Sequence, residues 1–282
     1  MRSMRFRLLV GVLAAVATML LSAPAYAASS TSSVGAVAGA NNFSCRPSQA
    51  HPFPVVLVHG TFGNASDFGV LSPQLSGAGY CVFALNYGCQ AGQQLVCGTA
   101  PIEDSAAQLS AFVDRVLSAT GAAKVDLVGH SQGGMMPRYY TKFLNGAAKV
   151  DRLVGLAPSN HGTTLDGLQN LAGALAGAVG CDACVEQLAG SAFLTRLNAG
   201  GDTVAGIRYT VIESRFDEVV TPFTSAFLSG SAVTNILLQN HCAADFTGHL
   251  NIINDPNAIG WVQNALDPRV APPGCTVFLL TL

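Results

Sequence analysis

The sequence predicts an α/β fold in which a mostly parallel sheet is wound with helices on both faces. Three observations predict it. Short continuous apolar runs recur along the chain, as strands buried on both faces of a parallel sheet require. Stretches of helical spacing or composition separate most of these runs, and that alternation is the pattern of a doubly wound sheet. At the end of one run stands Gly129-His-Ser131-Gln-Gly133, a crowded turn placed where a strand stops and a helix starts.

Taken in order, residues 1–27 read as a secretory leader. Arg2, Arg5 and Arg7 form a positive start, Leu8 to Leu21 an apolar stretch, and Ala25-Tyr26-Ala27 a small-x-small cleavage site. A retained membrane anchor is the alternative, which the polar "ASSTSS" after the cleavage site disfavours. Residues 28–50, rich in Ala, Ser, Gly and Asn without periodicity, are expected to be a flexible N-terminal segment. Residues 51–282 are then a single catalytic domain, long enough for a full core. Within it, "PVVLVHG" (54–60) and "CVFALNY" (81–87) read as strands. A helix follows over 101–120: Ile102, Ala106, Leu109, Val113, Val116 and Leu117 share one face, Pro101, Glu103 and Asp104 suit its first turn, and Gly121 ends it. "KVDLVG" (124–129), "KVDRLVGLA" (149–157) and "IRYTVIES" (207–214) complete five strands.

Charge and cysteine content bound the function. The leader carries three of the 14 basic residues and no acid, so the remaining 255 residues hold 11 basic against 16 acidic, a net charge of about −5. That balance and the absence of a basic cluster argue against nucleic acid and anionic membranes as partners. Only 11% of residues are charged while 50% are hydrophobic, which leaves apolar surface to meet lipid or polymer. All eight cysteines follow the leader: Cys45, Cys81, Cys89, Cys97, Cys181, Cys184, Cys242 and Cys275. An even count in an exported chain implies disulfides, with connectivity left open by spacing. Cys89 and Cys97 invite a local pairing, and Cys181-Asp-Ala-Cys184 reads as a tight structural bridge. No ligand spacing suggests zinc, so neither metal nor cofactor is expected.

The Gly129-to-Gly133 turn is a nucleophile elbow: it strains the serine backbone, and flanking side chains would collide with the neighbouring strand and helix. Ser131 is the candidate nucleophile. A serine needs a base and an acid to orient it, which in this arrangement follow in chain order as acid and then histidine. His241 and His249 lie far enough downstream. His241 adjoins Cys242, so His249, in the late loop "FTGHLNII", is the expected base. "YTVIESRFDEVVTP" offers Glu213, Asp217 and Glu218 as the acid. Glu213 falls within the strand pattern, and Asp217, just beyond it on a loop closed by Pro222, is preferred over Glu218. The oxyanion formed on attack calls for fixed donors, expected at the backbone of Gln132 and of Thr61 in "HGTFGN", with the threonine hydroxyl as a further candidate. His59, His130 and His161 sit on site-edge loops and are expected to shape the backbone, and His51 to lie on the surface.

"VVLVHGTFGN", "GHSQGGMMPRYY", "VDRLVGLAPSNHGTT", "DEVVTP" and "GHLNI" together resemble the secreted actinobacterial class 2 lipases of the α/β-hydrolase superfamily. Through the "SQGG" elbow, "VDRLVGLAP", "GSAFLTRLNAGG" and "DEVVTP", the chain is also similar, more distantly, to Candida antarctica lipase B. The resemblance spans residues 54 to 265. It implies an α/β-hydrolase fold, Ser131, Asp217 and His249 as a catalytic triad, Thr61 and Gln132 as oxyanion donors, and bridges Cys45–Cys81 and Cys242–Cys275. Cys89–Cys97 and Cys181–Cys184 remain as local pairs. The chain departs from the yeast lipase in a shorter C-terminal part and in those two extra pairs.

The expected function is a secreted, monomeric serine carboxylester hydrolase acting on lipid esters at a lipid–water interface. Phospholipase A1, polyester hydrolase, acyltransferase and a non-catalytic envelope-binding protein are the alternatives. Residues 163–190 are too long for a simple connection, and Leu165, Leu168, Leu171, Leu175 and Val179 recur at helical spacing. They are expected to form either a core helix or a small cap over the acyl pocket, pinned by Cys181 and Cys184.

Overall fold

A computed structural model describes residues 37–90, 94–167, 173, 176–177 and 180–279. The expected leader, and Leu168, Leu171, Leu175 and Val179 of the expected cap, lie outside the described residues. Six strands form one parallel sheet in the order β2-β1-β3-β4-β5-β6. They are β1 (Val55–Val58), β2 (Val82–Leu85), β3 (Val125–His130), β4 (Val150–Leu156), β5 (Arg208–Glu213) and β6 (Val233–Leu237). The first five coincide with the apolar runs. The sixth escapes sequence reading because it is short, with Thr234 and Asn235 exposed and Ile236 its one fully buried residue.

Helices cover both faces, and the two-residue period of the strands sorts the core accordingly. Val56 and Val58 of β1 pack with Ile102, Ala106, Leu109, Val113 and Val116 of α2 (Ile102–Thr120) and with Met135, Met136 and Tyr140 of α3 (Gln132–Phe143). Val55 and Leu57 pack on the other side with Leu71 and Leu75 of α1 (Leu71–Gly77) and with Ile259, Val262 and Leu266 of a late helix (Pro256–Leu266). Pro101 caps α2 from just outside the helix, and Gly121 ends it in a left-handed conformation, φ 74°.

The expected flexible segment is different in its described part. Ala40 bridges to Val82, and the Asn41 amide hydrogen-bonds both the N–H and the C=O of Ala84, at 3.0 and 2.8 Å. Asn41 thus imitates a strand backbone and covers the open edge of β2. Phe43 packs on Phe83 beneath the Arg115 guanidinium, and Cys45 is bonded to Cys81. Three further disulfides join Cys89 to Cys97, Cys181 to Cys184 and Cys242 to Cys275. Such a complement suits an oxidising, non-cytoplasmic compartment.

At the amino end of the sheet, Asp126 of β3 is buried with Oδ1 unpaired. Burial, reinforced by the nearby Asp151 carboxylate, pushes it up to about 7. Between pH ~4 and ~7 an unfolded chain therefore releases a proton that the folded chain keeps, so stability falls as pH rises through this window. Asp126→Asn is expected to remove that slope and raise stability at neutral pH by about 1–3 kcal/mol. Urea unfolding of both proteins at pH 4 and 7 checks it: the gain should appear at pH 7 and shrink at pH 4.

Candidate active site

In the strand order 2-1-3, the chain leaves β1 and β3 towards opposite faces, which opens a crevice at their carboxyl ends. The loop after β1 and the turn after β3 meet there. Ser131 lies on that turn with φ 54°, ψ −121°, a strained conformation for a residue with a side chain. The glycines around it are sterically required. A Cβ on Gly129 would overlap the Gly133 carbonyl, and one on Gly133 would overlap the carbonyls of Val58 and His59. α3 begins at Gln132, so its N-terminal N–H groups and its positive dipole end face the serine.

His249 sits in the loop after the last strand, and its Nδ1 is 2.7 Å from Asp217 Oδ2. The other Asp217 oxygen accepts the N–H groups of Val219 and Val220 at 2.8 and 2.7 Å. Two backbone donors thus fix the carboxylate so that one oxygen stays aimed at the imidazole. Glu218, the competing acid, accepts the backbone N–H of His249 at 2.9 Å instead, and so holds the loop. His241 is elsewhere: it is exposed, with its ring on Trp261. Ser131 and His249 line the same cavity of about 330 Å³. Leu165, Ala176, Leu188, Val219 and Val220 supply apolar lining, so described residues of the expected cap segment contribute to its wall. Phe62 and Leu250 also line it while remaining 55% and 67% exposed, which puts apolar side chains at its solvent edge.

The loop after β1 is pinned by a capping box, in which Asn64 Oδ1 accepts the Ser66 N–H and Asp67 accepts the Asn64 N–H. Thr61 lines the cavity, but its hydroxyl is engaged within the protein. It donates to Gln132 Oε1 at 2.7 Å and accepts from Gln187 Nε2 at 2.8 Å. In this arrangement the hydroxyl proton is directed at Gln132, and the backbone groups remain the leading oxyanion candidates. Gln187, itself held by Ser159, lies 126 positions from Thr61, a separation that no local pattern betrays.

Two neighbouring histidines are structural. Burial lowers His130 to about 3, and its neutral ring donates from Nε2 to the His249 carbonyl at 2.9 Å. Burial likewise lowers His59 to about 4, and its ring bridges the Gly60 carbonyl and the Tyr87 N–H. His161, by contrast, hydrogen-bonds Ser225 and Asp202, away from this cluster. A strained serine, an imidazole and a fixed carboxylate around one apolar cavity are what acyl transfer requires.

Residues 52–262 match the family described as Lipase (class 2), about three-quarters of the sequence. The chain belongs to the class 2 lipase family. Its structure is similar to that of Aspergillus fumigatus lipase B, with a TM-score of 0.64 and 23% identity over 82% of this chain and 55% of that one. It is also similar to the mature Bacillus licheniformis lipase BlEst2, with a TM-score of 0.60 and 21% identity over 78% of this chain and 94% of that one. At these identities the likeness is one of fold, and the fold is that of the α/β-hydrolase lipases. Triacylglycerol lipases of Pseudarthrobacter phenanthrenivorans and Burkholderia plantarii are each 42% identical over 94 residues. That stretch is 31% of this chain but only 27% and 24% of theirs, so the class 2 lipase chain spans about a quarter of their length.

Proposed function

We propose that the protein is a secreted, monomeric serine hydrolase of carboxylic esters, a lipase or esterase that cleaves lipid esters at a lipid–water interface. The observation that carries this reading is the Asp217–His249 pair beside a strained Ser131 on one apolar cavity. The relatives named as triacylglycerol lipases support the substrate class. Ser131 Oγ attacks the ester carbonyl while His249 Nε2 takes its proton and Asp217 holds the Nδ1–H. The backbone N–H groups of Gln132 and Thr61 receive the developing oxyanion. Collapse expels the alcohol, which takes the proton from His249, and leaves the acyl group on Ser131. Water, deprotonated by His249, then releases the fatty acid and restores the serine. Residues 1–27 act as a leader removed before Ala28, which N-terminal sequencing of the exported protein would reveal.

A panel of triglyceride, phospholipid and short-chain esters, run with and without an acceptor alcohol, tests the reading. Fatty acid release from triglyceride is expected. Release only from phospholipid would make the protein a phospholipase, preferential ester formation with the alcohol a transferase, and no turnover of any substrate would refute the hydrolase assignment. Asp217→Asn should lower kcat by about 10⁴-fold, because an amide favours the wrong imidazole tautomer. Full activity in that variant would hand the acid role to Glu218.

A further inference from the structure

Four residues before Asp217, at the end of β5, Glu213 is fully buried, and the proposed reaction leaves it without a task. Its Oε1 accepts the Ser214 N–H at 2.8 Å. Its Oε2 is buried and receives no N–H or O–H donor from the described residues. The turn after β5, closed by the Asp217 N–H on the Ser214 carbonyl at 3.2 Å, brings the buried Asp217 carboxylate back towards it, and the charges that act on it, those of Asp217 and Glu218, are negative. The loop packed over this strand end, through the Ser214 hydroxyl on the Thr247 carbonyl, brings His249, which is occupied by Asp217, and Asp245, whose backbone carbonyl accepts from the Gln239 amide that also bonds the Ser214 hydroxyl. A buried carboxyl oxygen without a donor, set against a second carboxylate, is satisfied if it carries a proton and donates it.

We propose that Glu213 is a positioning residue: it is held as the neutral acid and donates its O–H to the Asp217 carboxylate. Asp217 then receives four donors, namely the N–H groups of Val219 and Val220, the His249 Nδ1–H and the Glu213 O–H. Its orientation is then fixed by Glu213 as well as by the loop. The inference rests on the triad reading above and adds one group to it. Burial, and after it the Asp217 charge, raises Glu213 well above the ordinary carboxylate range, in keeping with a neutral acid at working pH. The sign of the pH dependence follows. As pH rises through the raised value, Glu213 loses its donor and places a second negative charge against Asp217, so activity falls on the alkaline side.

The test compares wild type, E213Q and E213L on a soluble p-nitrophenyl ester, with kcat and KM measured from pH 5 to 10. E213Q keeps an N–H donor towards Asp217 and an acceptor for Ser214. It should recover kcat to within a few-fold and lose or shift the alkaline limb. E213L, with the donor gone, should lose about 10–100-fold in kcat at unchanged KM. The far-downfield proton resonance of the His249 Nδ1–H supplies a readout independent of turnover. It should persist in E213Q and move or broaden in E213L. A folded E213L with wild-type kcat and resonance would overturn the proposal, as would an E213Q with an unchanged alkaline limb. If E213L does not fold, the E213Q profile decides alone. Failure of the triad reading is separable, because it would show as turnover by Ser131→Ala whatever stands at position 213.

Discussion

Ser131→Ala is expected to abolish ester hydrolysis while leaving the protein folded, with kcat lower by about 10⁴-fold or more. The expectation of an intact fold is physical. Ser131 is largely buried, but the elbow is held by Gly129 and Gly133, whose missing side chains let the Val58 and His59 carbonyls approach, and by the Ser131 N–H bonded to Leu156. None of these contacts uses Oγ. Removing that atom takes away the proposed nucleophile alone, and the proposed oxyanion donors would account for any residual rate. Circular dichroism and thermal unfolding alongside the ester assay would separate lost chemistry from lost structure. A folded Ser131→Ala protein with wild-type turnover would require another nucleophile.

His249→Ala should cost nearly as much, because in the proposed mechanism nucleophile and base act as one unit and neither works without the other. The control is His241→Ala. His241 stands exposed against Trp261, so its removal should leave kcat within a few-fold. A reversal, with His241→Ala inactive and His249→Ala mildly affected in folded proteins, would move the base. His130 is unsuited to substitute for His249. Its ring is buried, its value is depressed to about 3, and Nε2 is engaged by the His249 carbonyl.

Much of this arrangement was legible because it depends on local rules. Strands buried on both faces read as unbroken apolar runs, and a strand–turn–helix elbow needs glycine at fixed offsets. The order of serine, acid and histidine follows the order of the strands that carry them. What stayed hidden depends on contacts between distant segments. β6 is an edge strand whose half-exposed residues carry no apolar run. Asn41 covers the opposite edge with a side-chain amide, which composition alone reads as a loop. Gln187 controls the Thr61 hydroxyl from a separate helix-rich segment. Glu213 reads as one more acid in a strand, and only the fold shows it buried with an oxygen left without a donor among the described residues.

β3 carries Asp126 near its start and delivers Ser131 just past its end. Five residues of extended chain separate them by about 16 Å, beyond the screening length of physiological salt. A change of charge at Asp126 is therefore nearly invisible at the serine, and substitutions at the two ends should combine additively. The strand keeps durability and turnover on separate dials. An engineer could harden the amino end against neutral or mildly alkaline conditions without retuning the chemistry, and selection acting on either trait need not drag the other along.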